Sequence, residues 1–140
     1  MTEALQDLLD HHDALRMVLD SDEAGWVPEV RARGSVTAGS VLECVDAGTT
    51  DAATEDVRSL AARVTARLSP ADGAVVRAAL LDRGPTEQGL LVLAVHHLAV
   101  DGVSWRILLS DLATACLARA RANGPGCRGW PPHCGPGHTA

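Results

Sequence analysis

All 12 basic residues are Arg: the sequence has no Lys, and it has neither Phe nor Tyr. That skew reads as a bias of composition rather than as a mechanism. No apolar run is long enough to cross a bilayer, the longest being Leu90–Val95 against the roughly 20 residues that a spanning helix needs. The opening MTEALQDLL is acidic where a signal peptide would be basic, so a cytoplasmic location is the expectation, with no membrane partner. The 12 bases are scattered and outnumbered by 18 acids, for a net charge of −6, which argues against a phosphate-tracking surface for nucleic acid. Cys44, Cys116, Cys127 and Cys134 lack the close paired spacing of a zinc ribbon or a redox CxxC, and free thiols are expected. No internal repeat is found.

What is present is the composition of a globular chain: 46% hydrophobic and 21% charged over 140 residues, room for one domain with a single core. From Thr2, read as an N-cap, Leu5, Leu8, Leu9, His12 and Leu15 recur at helical spacing and predict an amphipathic helix. Residues 16–31 alternate around Ser21-Asp22-Glu23-Ala24-Gly25 and predict a hairpin, with Pro28 suited to an edge. Residues 32–53, rich in Gly, Ser, Thr and Asp, read as a loop. From Thr54 the positions Val57, Leu60, Ala61, Val64 and Leu68 predict a second helix, stopped by Ser69-Pro70. The runs 74–81 and 90–95 predict two buried strands joined by a loop holding Gly84-Pro85 and Gly89. Leu108, Leu112 and Ala115 then mark a third helix.

From about Asn123 the sequence becomes NGPGCRGWPPHCGPGHTA, in which Gly and Pro leave no periodicity with which to build a core. The division expected is a folded part over residues 1–118 and a disordered tail over 119–140.

The chemistry is concentrated in LLVLAVHHLAVDGVSWRILL, residues 90–109, where His96 and His97 end an apolar strand and Asp101-Gly102 follows. A histidine at a strand end, half desolvated and held by a loop, suits general acid/base work. Asp101 would fix the loop, and Gly102 would permit a tight bend. Most such pairs are nevertheless only the polar ends of buried strands. Successive side chains on a strand face opposite ways, so one of the two at most reaches a given pocket, and the pattern does not say which.

The run His96-His97-Leu98-Ala99-Val100-Asp101-Gly102 matches the HHxxxDG signature, and the chain here resembles the condensation-domain superfamily of nonribosomal peptide synthetases. Val103-Ser104-Trp105-Arg106-Ile107-Leu108 resembles the epimerisation version of that motif. His11-His12-Asp13-Ala14-Leu15-Arg16 resembles the family's early helix-to-strand motif. The resemblance spans about residues 3–118 and implies much of the first of two similar subdomains. The implied fold is a chloramphenicol-acetyltransferase-like half-domain: an α/β sandwich, largely antiparallel or mixed sheet, with helices packed on it.

On that resemblance His97 is the acid/base residue, His96 is structural, Asp101 is a structural acid and Arg16 is its ion-pair partner. The substrate implied is an aminoacyl or peptidyl thioester on the phosphopantetheine arm of a carrier protein, with no cofactor bound directly. Epimerisation at the α carbon is the leading expectation; amide-forming condensation, or a remnant that only docks a carrier protein, are the alternatives. The strand before the first helix is expected to be missing, as is the second subdomain with the glutamate that would serve as the second acid/base group. The chain by itself is therefore expected to be inactive.

Other residues carry less. His11 and His12 read as helix residues engaged in packing or a local hydrogen bond. Ser104 invites a Ser-His-Asp reading with His97 and Asp101 but lacks a GxSxG elbow. Trp105 reads as a core anchor rather than a substrate platform, and Arg106 as solvent-facing or paired rather than catalytic. Cys127, His133, Cys134 and His138 form no recognisable zinc knuckle, and no metal is assigned.

Overall fold

The computed structural model describes residues 1–22, 25–46, 57–83 and 88–122. Its centre is the apolar strand β4 (Val76–Asp82), whose residues Ala78 to Leu81 are all buried. β4 pairs antiparallel with β5 (Leu90–Val95), as the two apolar runs predict. On its other edge it pairs in parallel with β3 (Leu42–Asp46), giving a mixed sheet in the order β3-β4-β5.

Both faces of this sheet carry helices, and the alternation of side chains sorts them. Val76, Ala78, Leu91, Leu93 and Val95 meet α1 (Thr2–His11), α2 (Ala38–Val41) and α4 (Gly102–Ala122) through Leu5, Leu8, Leu9, Leu108 and Leu112. Ala79, Leu81, Leu90, Val92 and Ala94 meet Leu60 and Val64 of α3 (Val57–Ala66) on the other face. A 3₁₀ turn, Asp13–Arg16, leads from α1 into the separate hairpin of β1 (Met17–Asp22) and β2 (Gly25–Val30). The α/β sandwich with a mixed sheet is thus present. Pro28 sits in the two-stranded sheet, where both strands are edges.

Four expectations need correction. Residues 32–53 are not simply a loop: Thr37 caps the short α2 by accepting the Ser40 N–H at 3.3 Å, and β3 follows at once. β3 escapes pattern reading because it is a short edge strand whose pairing comes from β4, more than 30 residues away. Thr2 is the first residue of α1 rather than its cap; Met1 occupies the cap position with no side-chain bond. α4 runs to Ala122, past the boundary placed at residue 118. There Arg119 grips Asp7 of α1 at 2.7 Å, a contact between distant segments that no local pattern announces. Lastly, Cys116 is a free thiol but Cys44 is disulfide-bonded, against the expectation of free thiols throughout. Thr54, Cys127, Cys134 and the rest of the tail from Asn123 lie outside the described residues.

Candidate functional site

β5 delivers the histidine pair. The His96 N–H extends the β4–β5 ladder by one bond, to Val75 O at 2.8 Å, and its carbonyl accepts the Ala99 N–H at 2.9 Å to close a turn. The same side chain is committed: His96 Nδ1 accepts the Leu98 N–H at 3.2 Å. That bond places the ring proton on Nε2. His97 begins the turn, is exposed, and its ring has no hydrogen-bond partner among the described residues. The strand end therefore presents one engaged and one free imidazole.

The turn ends at Asp101, immediately before α4. Asp101 Oδ1 accepts the N–H groups of Val103 at 3.1 Å and Ser104 at 2.7 Å, and the Ser104 hydroxyl at 2.7 Å. These are the otherwise unpaired donors of a helix start, so Asp101 is the N-cap of α4. The Ser104 hydroxyl first, then the backbone N–H groups, hold the Asp101 carboxyl below its ordinary value. Ser104 points its proton at Asp101 and not at a histidine, which removes the Ser-His-Asp arrangement. Trp105 is half-buried against the α1/α4 core, and Arg106 is exposed, both as expected.

Two supporting residues behave differently from expectation. Gly102 has an ordinary negative φ, and a Cβ there would meet nothing within 4 Å. It opens a helix rather than permitting a tight bend. Arg16 is buried, 3% exposed, but it does not pair with Asp101. It donates to Leu9 O at 2.7 Å, Asp10 O at 3.0 Å, Arg31 O at 3.1 Å and Asp13 Oδ1 at 2.5 Å. The physical reason is symmetrical: the carbonyls ending α1 saturate the guanidinium, and the N–H groups opening α4 saturate the carboxylate. Each partner of the expected pair serves a helix terminus instead.

Sequence reasoning missed a contact beside this loop. His12 Nε2 lies 2.8 Å from Asp111 Oδ2 on α4, tying the end of α1 to the helix that Asp101 starts. His12, Leu15, Ala99, Val100, Ser104 and Ile107 line a cavity of about 110 Å³ between the turn that follows α1, the loop and the start of α4. The placement of His12 on the apolar face of the helix expected from the sequence was the one available signal. Its partner, 99 residues on, was not legible.

The architecture has close counterparts. A linear gramicidin synthase polypeptide of Brevibacillus parabrevis is 41% identical over 118 residues, which is 80% of this chain and 2% of that protein. The solved epimerization domain from the third module of tyrocidine synthetase B superposes with a TM-score of 0.70 at 29% identity, over 86% of this chain and 26% of that one. A solved condensation domain that mediates chain release from the enacyloxin polyketide synthase gives 0.58 at 28% identity, over 79% and 22%. The chain thus spans a small part of the synthases and about a quarter of the solved domains. The family model of the condensation domain matches residues 1–125; this chain belongs to the condensation-domain family.

Proposed function

We propose that, in the full-length protein, His97 is the acid/base residue of an epimerisation-type domain acting on an aminoacyl or peptidyl thioester carried by a phosphopantetheine arm. The observation that carries this reading is the unequal state of the two imidazoles. The ring of His96 is bonded to the loop through Nδ1, whereas that of His97 is exposed and unengaged among the described residues. A thioester acidifies the α carbon, and an unengaged imidazole within reach can act as the base that removes that proton. Asp101 positions the loop through α4 rather than touching substrate. The Val103-Ser104-Trp105-Arg106 extension and the likeness to the tyrocidine synthetase epimerization domain support epimerisation.

Epimerisation also needs a group that returns the proton to the opposite face, and this loop supplies one exposed imidazole at an open edge. Leu98, Val103, Ile107 and Leu109 are at least half exposed or nearly so beside the loop. A second subdomain covering them would form the opposite wall, exclude water and hold the thioester arm in register. On this reading the described residues supply one of the two groups required, His97. Its partners would be a carrier protein and that subdomain, in the cytoplasm. No helix among the described residues is long and apolar enough to cross a membrane.

Amide-forming condensation is the second reading, favoured by the likeness to a solved condensation domain. Chiral analysis separates the two. The full-length protein is incubated with an L-aminoacyl carrier protein and no acceptor amine. Appearance of the D form supports epimerisation; retention of the L form, with an amide made only when an acceptor is added, supports condensation.

A further inference from the structure

α1 ends at His11, and the backbone at His12 turns extended, with φ −100° and ψ 106°. In a continuing helix two successive side chains diverge by about 100° around the axis. The break lets them converge instead: the ring centroids of His11 and His12 stand 4.9 Å apart with planes at 80°. α4 packs on α1 and brings Asp111 to the same place. The ligand-capable atoms of His11, His12 and Asp111 all lie within 4.8 Å of one another.

A hydrogen bond between His12 and Asp111 accounts for two of these groups and leaves the third. The His11 ring has no hydrogen-bond partner among the described residues. Beside it is a cavity of about 280 Å³ lined by His11, Asp111, Asp7, Leu8 and Thr114. Asp7 is already engaged by Arg119 at 2.7 Å, so it is not counted as a donor.

We propose that His11, His12 and Asp111 bind one divalent transition-metal cation, of which Zn²⁺ is the representative. Two imidazoles and one carboxylate suit such ions better than Ca²⁺ or Mg²⁺, which prefer all-oxygen shells. Donors about 2.0–2.2 Å from a tetrahedral ion stand roughly 3.3 Å apart. The 2.8 Å His12–Asp111 pair opens slightly to reach that spacing, and exposed His11 closes in by side-chain rotation. The cation replaces the hydrogen bond between His12 and Asp111, any proton on His12 Nε2 passing to Nδ1 or to solvent, and solvent water completes its shell. The site lies outside the proposed His97 chemistry. Its effect is to clamp the end of α1 to α4.

The test is a titration of the chelator-treated chain with Zn²⁺ alone by calorimetry, repeated with Co²⁺ to read the visible spectrum of the bound ion. One ion per chain is expected. His11→Ala and Asp111→Asn, both at solvent-accessible positions, should each weaken binding by at least the roughly 10–100-fold typical of losing only a ligand's supporting partner. A variant with His133, Cys134 and His138 all replaced by Ala should bind as the parent does. The proposal is overturned if the parent binds no Zn²⁺, if neither substitution weakens binding, or if only the tail variant loses it.

Discussion

The Ser104 hydroxyl donates to Asp101 Oδ1 across 2.7 Å, so the acid that ends the histidine loop is also the acid that starts α4. One side chain therefore joins the presentation of His97 to the integrity of the longest described helix, Gly102–Ala122.

The carboxyl of Asp101 is held below the ordinary aspartate value of 3.8, chiefly by the Ser104 hydroxyl. A depressed folded value means that the stabilisation is complete above the unfolded value and fades as pH falls through the folded one. Asp101→Asn keeps a capping oxygen but removes the titration. Thermal melts should show the parent more stable than this variant at pH 6, with the gap closing below about pH 4, where the unfolded carboxyl protonates. A gap that stays constant from pH 6 to pH 3 would contradict the cap.

Arg16 should couple to Asp13 and not to Asp101. Arg16→Met leaves the carbonyls of Leu9, Asp10 and Arg31 without their donor, at a cost of up to about 1–3 kcal/mol for each one that stays buried and unpaired. In double-mutant cycles by urea unfolding, Arg16 with Asp13 should give a small coupling, below about 1 kcal/mol, because Asp13 is largely exposed. Arg16 with Asp101 should give none. A measurable coupling in the second cycle would restore the pair implied by the family motif.

Gly102→Ala should stabilise the chain by about 0.4–1 kcal/mol, since alanine fits the helical backbone at no steric cost and restricts the unfolded state. The space around Gly102 and its ordinary φ are the grounds. Destabilisation on chemical unfolding would mean that the loop needs a glycine after all.

How much of this was readable from residues follows from where each interaction partner lies. β4 and β5 announce themselves because apolar side chains pack on both faces of the sheet, so that β5 is apolar throughout and β4 is broken only by Arg77 before its end at Asp82. β3 does not, because Leu42–Asp46 is exposed in part and acquires its identity only by pairing with β4. The last turn of α4 was hidden for the same reason: Arg119 and Arg121 look like the start of a polar tail until Asp7 is seen opposite Arg119. At the site, the strand end and the histidine pair were legible, while the division of labour was not. It depends on a backbone donor, Leu98 N–H, folding back onto His96. The Arg16–Asp101 pair came from the family motif alone, and the local helix ends in this chain take both partners.

The most direct measurement is solvent deuterium incorporation at the α carbon of an L-aminoacyl group on its carrier protein. It compares the full-length parent with His97→Ala and His96→Ala, each checked for intact folding. His97→Ala should slow exchange by about 10²–10⁴-fold, the usual contribution of a positioned general base, while His96→Ala should mainly lower the melting temperature. Parent-like exchange in a folded His97→Ala protein would contradict the assignment of His97 as the acid/base residue.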